Sequence, residues 1–194
     1  MRVSYIVCVR PFPSKKYQII YADPPWKYGS PNSPRSPERH YHTMTNEEIC
    51  RLPLHTIKTE HSVCLMWATF PKLEIALHVL HEWGFLYKTV AFVWIKKNRR
   101  SDSLFWGMGN YTRSNAEICL LGISPGVRTS ECVISHRVHQ VVISPIESHS
   151  KKPEIVKARI VELFGSVSRI ELFARKQTSG WDVWGDETDK FPAS

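Results

Sequence analysis

An α/β fold is what this sequence predicts, with a largely parallel sheet covered by helices on both faces. Three observations carry that expectation. Short β-branched and aromatic runs alternate along the chain with stretches of helical period. The runs are almost continuously apolar, which fits strands buried on both sides. The chain has 194 residues, 42% of them hydrophobic, which is enough for one well-buried core.

Tyr17–Ala22 (YQIIYA) is the first such run, and Asp-Pro-Pro closes it. A loop rich in Pro, Ser, Arg and His follows from Lys27 to Thr43. Thr45, with Glu48 three residues on, has capping-box spacing and opens a short helix. Ser62–Ala68 (SVCLMWA) is the second strand. Pro71–Trp83 has helical apolar spacing at Leu73, Ala76, Leu77 and Leu80, and Gly84 ends it. Phe85–Ile95 is the third strand, and a basic loop spans Lys96–Asn115. Ala116–Leu121 is the fourth strand. Residues 122–150 resist assignment beyond a Pro125-Gly126 turn and an apolar Val141–Ile143. Pro153–Phe164 is a helix with Pro153 in its first turn, and Ser168–Ala174 (SRIELFA) is the last strong strand.

Composition narrows the function. Lysine and arginine total 26 against 18 acids, a net charge of +8 and a pI near 9.3. Such an excess points to a polyanionic partner, most often nucleic acid. No apolar run approaches the roughly 20 residues a membrane helix needs. The short apolar stretch Tyr5–Val9 lacks a cleavage-site pattern, so no signal peptide is expected. Five widely spaced cysteines form no C-x-x-C, so neither a disulfide framework nor a zinc site is expected, and a reducing cytoplasm is the expected setting.

One motif carries chemistry. Asp23-Pro24-Pro25-Trp26 stands directly after the first strand, where α/β sheets bind ligands. Consecutive prolines fix φ and offer no N–H, so the segment is rigid and presents acceptors only. The Asp23 carboxylate and the Pro24 carbonyl can each accept one N–H of an adenine amine. That favours a pyramidal nitrogen and frees its lone pair. Trp26 offers a flat face for a purine. A strand followed by a proline turn, with Trp26 as core filler, is the bland alternative.

With Ala22 in front, this tetrapeptide resembles the signature of the MT-A70 family of S-adenosylmethionine-dependent adenine-N6 methyltransferases. Other segments resemble the same family in the same order. His149-Ser150-Lys151-Lys152-Pro153 is similar to its Lys-Pro segment before a helix. Ile170–Arg175 followed by Gly180–Gly185 is similar to its C-terminal strand and loop, and Trp106–Arg113 ahead of Glu117 is similar to its phage-type members. The likeness runs from about Tyr17 to Glu187.

The resemblance implies a Rossmann-like class I methyltransferase fold in permuted form, with the catalytic motif ahead of the cofactor strand. That order accounts for the missing G-x-G-x-x-G. It implies one methyltransferase domain over 1–194, with 27–43 and 96–115 as mobile substrate-binding loops. It implies S-adenosyl-L-methionine as cofactor, no metal, and catalytic roles for Asp23, Pro24, Pro25 and Trp26. Lys152 is expected at the cofactor's carboxylate. Glu171, Arg175, Gln177, Thr178, Asp186 and Glu187 are expected around its ribose and adenine. Asp186 departs from the family's usual Asn, which costs an amide donor. In longer relatives the segment before the first strand completes the adenine pocket, and here Ser4–Cys8 would have to serve.

Basic residues mixed with Phe105, Trp106 and Tyr111 suit phosphate contacts and base stacking. Expected substrate contacts are Tyr28, Arg35, Arg39, Lys96, Lys97, Arg99, Arg100, Trp106, Asn110 and Arg113. Trp67, Trp83 and Trp94 are expected in the core. The implied reaction is N6 methylation of adenine in DNA. An RNA adenosine methyltransferase and a non-catalytic nucleic-acid-binding subunit stay open as alternatives, as do a homo-oligomer and a partner subunit.

Overall fold

The computed structural model describes residues 11–28, 43–109, 111–147 and 151–185. Seven strands form one mixed sheet: β1 (Tyr17–Ala22), β2 (Lys58–Ala68), β3 (Leu86–Lys97), β4 (Glu117–Ile123), β5 (Val141–Pro145), β6 (Arg169–Leu172) and β7 (Asp182–Trp184). Their order is β5-β3-β4-β2-β1-β6-β7. Four neighbouring pairs are parallel, and only β4 runs against its neighbours β2 and β3. The expected α/β fold with a mostly parallel sheet is therefore present, and it is consistent with a Rossmann-like methyltransferase.

Strand alternation sends side chains to two cores. From β1 and β2, Ile20, Ala22, Cys64 and Met66 pack with Ile49 of helix α1 (Asn46–Cys50) and with Ala76, Val79 and Leu80 of α2 (Leu73–Glu82). Ile19, Tyr21, Val63, Leu65 and Trp67 pack on the other face with Val156, Ile160 and Phe164 of α4 (Ile155–Phe164). Helices thus cover both faces. Trp67 and Tyr21 are among the largest fully buried side chains. Burial of such a residue contributes roughly 1.5–3 kcal/mol. Trp67 Nε1 also donates to the Tyr21 hydroxyl at 2.6 Å, so no polar atom is stranded there.

Local sequence explains the boundaries. The capping box forms as read: the Glu48 N–H donates to Thr45 Oγ1, and the Thr45 N–H donates to Glu48 Oε2. Pro71 lies in a 3-10 turn, Phe70–Lys72, so α2 proper begins at Leu73. It ends at Glu82, and Gly84 just beyond turns the chain away with a φ of 75° that few side chains tolerate. Several boundaries differ from expectation. β2 starts four residues earlier, at Lys58, and β3 continues through Lys96 and Lys97, which are strand residues and not loop. α3 (Thr129–Cys132) and β5 occupy the unassigned stretch, and β7 forms where a loop was expected.

Chain direction positions the site. The connections leave β1 toward β2 on one side and return to β6 on the other, so the carboxyl end of β1 is a topological switch point. β4 is antiparallel, so its amino end lies beside the carboxyl ends of β2 and β3. Ile118 pairs with Ala68, and Glu117 pairs with Trp94. Among the described residues, no helix is long and apolar enough to cross a membrane.

Candidate active site

The Asp23–Trp26 segment leaves β1 at that switch point and is held by its own backbone. The Trp26 N–H donates to the Pro24 carbonyl at 2.8 Å, and the Met44 N–H donates to the Pro25 carbonyl at 2.9 Å. Trp26 Nε1 donates to the Trp67 carbonyl at 3.2 Å. Trp26 is only 4% exposed. The Pro24 carbonyl, one lone pair engaged, has a second to offer.

Asp23 opens a row of alternating charges. Lys152 Nζ is 2.8 Å from Asp23 Oδ2 and 3.3 Å from Glu117 Oε2. Glu117 Oε1 in turn accepts from Lys96 Nζ at 2.5 Å. Lys152 and Glu117 are largely buried, and the row is neutral overall, which is how a protein keeps buried ions charged. Burial pushes the Asp23 carboxyl above its ordinary value, and the Lys152 ammonium opposes that rise. Burial would also raise Glu117, but the Lys152 and Lys96 ammoniums outweigh it and hold this carboxyl low. Burial would lower Lys152, yet Asp23 and Glu117 overcome burial and keep it firmly protonated.

Two cavities meet at this row. The larger, about 460 Å³, is lined by Asp23, Pro24, Trp26, Tyr28, Trp67, Trp94, Lys96, Arg99, Phe105, Glu117 and Lys152, among others. The smaller, about 250 Å³, is lined by Tyr21, Asp23, Lys151, Lys152, Pro153, Glu154, Lys157, Glu171, Phe173, Arg175 and Lys176. Asp23, Lys151 and Lys152 border both. The Asp23–Lys152 pair is thus a shared wall.

The smaller cavity is strung with ion pairs. Lys157 Nζ lies 2.6 Å from Glu171 Oε2 and donates to Thr178 Oγ1 at 2.8 Å. Lys176 pairs with Glu154 at 2.9 Å. Burial raises the Glu171 carboxyl, and Lys157 opposes the rise. Such a donor and acceptor set fits an amino-acid zwitterion joined to a ribose: cations for a carboxylate, and Glu171 for hydroxyls.

The sequence-derived candidates divide as follows. Asp23, Pro24, Trp26, Tyr28, Lys96 and Arg99 line the larger cavity. The Tyr28 hydroxyl shares a 2.6 Å hydrogen bond with Thr69 Oγ1, and Arg99 Nε donates to the Ile146 carbonyl at 3.0 Å. Pro25 is not among the cavity's lining residues. Glu171 and Arg175 line the smaller cavity, Glu171 from within β6 rather than from its flank. Lys152 lies between two carboxylates at the boundary. Gln177 and Thr178 lie outside both linings: Gln177 Nε2 closes a turn on the Trp181 carbonyl at 3.1 Å, and Thr178 serves Lys157. Lys97, Arg100, Trp106 and Arg113 sit outside the linings as well, Lys97 in an ion pair with Asp102. Arg35, Arg39, Asn110, Asp186 and Glu187 lie outside the described residues, as do Ser4–Cys8.

Sequence reasoning missed Glu117, Lys157 and the double role of two tryptophans. Trp67 and Trp94 are buried as expected, yet they also face the larger cavity. Lys157 is an α4 residue with 9% exposure. A lysine on the apolar side of that helix, one turn after Pro153, was its available signal.

Comparison with known proteins agrees with this geometry. The MT-A70 family model matches residues 17–187. The chain is 34% identical to the type II methyltransferase M.MunI of Mycoplasma sp, covering 90% of this chain and 79% of that protein. It is 27% identical to a putative N(6)-adenosine-methyltransferase MT-A70-like protein of Medicago truncatula, over 89% of this chain and 26% of the relative. With the human N(6)-adenosine-methyltransferase catalytic subunit METTL3 the identity is 24%, over 90% and 28%. The chain therefore spans most of the bacterial relative but about a quarter of the plant and human ones. A match over nearly the whole chain, with the motif at the junction of two cavities, makes this chain a methyltransferase of the MT-A70 family.

Proposed function

We propose that the chain transfers a methyl group from S-adenosylmethionine to the N6 amine of adenine in DNA. The observation that carries this reading is the junction of an aromatic cavity and an ion-lined cavity at Asp23. Lys152 would meet the cofactor's carboxylate, and Glu171 and Arg175 its ribose and adenine. When bound, the cofactor supplies an electrophilic methyl on a sulfonium.

The chain's own residues do the rest. Trp26, Trp67, Trp94 and Phe105 surround a purine and exclude water from it. Asp23 accepts one N–H of the amine, and the free lone pair of the Pro24 carbonyl accepts the other. Both acceptors are fixed before substrate arrives, so no reorganisation is needed as charge develops on nitrogen. The methylated nitrogen sheds a proton, and Asp23, its proton affinity raised by burial, accepts it.

DNA is favoured because the type II methyltransferase matches over most of both chains. RNA adenosine is the second reading, favoured by the names of the plant and human relatives. The proposed setting is the cytoplasm, which suits the free thiols of Cys50, Cys64, Cys119 and Cys132. The test is incubation with methyl-labelled cofactor and plasmid DNA, with matched RNA in parallel, followed by nucleoside analysis. Label in N6-methyladenine of DNA is expected. Label in a methylcytosine, or a strong preference for RNA, overturns the reading.

A further inference from the structure

Three large apolar side chains stand in solvent immediately beyond the wall of the larger cavity. Phe105 lines that cavity, whereas Trp106, Met108 and Tyr111 on the same loop are 55%, 64% and 102% exposed. Apolar surface gathered on one short segment marks a contact site more often than chance exposure does.

The loop is also built to a fixed shape. The Gly107 N–H donates to the Ser114 carbonyl at 2.7 Å. The Asn115 side chain accepts from the Lys96 N–H at 3.0 Å and donates to the Lys96 carbonyl at 2.9 Å, tying the loop's base to β3. A Cβ at Gly109 would lie 1.8 Å from the Thr112 carbonyl oxygen, and one at Gly107 2.9 Å from Ser114 Oγ. Only glycine permits the approach at Gly109, where the obstacle is backbone. Arg113 Nη1 donates to Met108 Sδ at 3.3 Å, which braces the methionine. The segment therefore makes its own framework and spends it on holding apolar side chains outward. The same stretch of sequence carries Lys97, Arg99, Arg100 and Arg113, with Asp102 as its one acid.

We infer that residues 105–109 and 111–114 form a wedge that enters a DNA duplex and stacks in the space left by an extruded adenine, so that the substrate is duplex rather than single-stranded DNA. The inference rests on the adenine reading above. An adenine amine in a duplex is paired and stacked, and it reaches a cavity only if the nucleotide leaves the stack. Extrusion breaks stacking on both sides of the base, and an aromatic or thioether side chain inserted there restores part of it. The basic flank meets the phosphates on either side. Phe105 inside and Trp106 outside couple the two events, because one loop forms both the cavity wall and the plug.

The target sequence is first mapped with wild-type enzyme on plasmid DNA. Oligonucleotides carrying it are then methylated as a matched duplex, as the same duplex with an abasic site opposite the adenine, and as the single strand. Met108→Ala and Tyr111→Ala are compared with wild type. The wedge predicts that the rate on matched duplex, relative to the abasic duplex and to the single strand, falls about tenfold in Tyr111→Ala, the cost of losing one base–aromatic stack, and by a smaller factor in Met108→Ala, which loses a thioether and no ring. Taking the ratio within each variant cancels any difference in folded protein. With 2-aminopurine at the target position, wild-type enzyme should raise its fluorescence and the variants should raise it less. A rate ratio equal to that of wild type overturns the wedge, whether all rates fall together or none does. Wild type that leaves no N6-methyladenine on any of the three DNAs overturns the adenine reading itself, and the wedge with it.

Discussion

The two cavities share a wall but are built by opposite means. Around the larger, five aromatic rings (Trp26, Tyr28, Trp67, Trp94 and Phe105) supply flat faces. Around the smaller, eight of eleven lining residues carry charged side chains and nearly all are already paired. A neutral planar ring is recognised by faces that need no charge. A zwitterion is recognised by ions that exchange one partner for another, which keeps them satisfied before and after binding. Asp23 and Lys152 stand on the shared wall, Asp23 acting in the larger cavity and Lys152 in both, so a change at Lys152 should affect both cavities and changes elsewhere only one.

Asp23→Ala should have the largest effect. Without one of two fixed acceptors the transfer rate falls about a thousandfold. Calorimetric titration with S-adenosylmethionine should change little, because Arg175 and the Lys157–Glu171 pair remain. A variant that methylates DNA at the wild-type rate would sink the assignment. Lys152→Met ranks next, and it should weaken both cofactor binding and turnover. Its signature is the pH profile. Protonation of Asp23 abolishes its role as acceptor, so kcat/KM falls on the acid side, and burial already places that limb above the ordinary carboxylate range. With the ammonium gone the carboxyl is pushed up further, and the limb should move toward neutral pH. An unmoved limb would mean that another group governs it.

How much of this the sequence disclosed depends on whether the chemistry is contiguous. Asp23–Trp26 is four adjacent residues after a strand, so residue types alone suggested its role. Glu117 lies nearly a hundred residues away and opens its strand. The rule that ligands gather at carboxyl ends passes over it, and only β4's reversed direction brings it to the site. β7 was hidden because three residues at a sheet edge carry too little pattern to register. Trp67 and Trp94 were read as core, and burial agrees. Nothing in periodicity distinguishes a side chain buried against protein from one that also borders a cavity.

Lys157→Met should affect the smaller cavity alone. It leaves Glu171 buried without its cation, and removing one member of a buried pair costs about 3 kcal/mol. The sign with pH follows from burial. A carboxyl raised in the folded state binds its proton more tightly there than in the unfolded chain. Stability is then greatest at low pH and is lost as pH rises through the folded pKa. Thermal melts of the variant should therefore fall with rising pH more steeply than those of wild type. The KM for cofactor should rise with kcat little changed, and Lys157→Arg should restore part of both. If affinity for DNA changed instead, the division between the cavities would fail.

The smallest effect tests the same pairing at the rim. Lys97 and Asp102 also form an ion pair, but Asp102 is almost fully exposed. Water already solvates the Asp102 carboxylate, so Asp102→Ala should leave the thermal midpoint where it is. What changes is the charge facing the phosphates: Lys97 loses its competitor and becomes one more cation available to the backbone. Fluorescence anisotropy with duplex DNA between 50 and 200 mM salt should then give a log–log slope steeper by about 0.9, and affinity should rise modestly at the low-salt end. The cofactor KM should stay constant. A pair of identical chemistry would thus govern stability when buried beside the small cavity and salt-dependent binding when exposed beside the large one. An Asp102→Ala slope equal to that of wild type would show that Lys97 does not face the DNA.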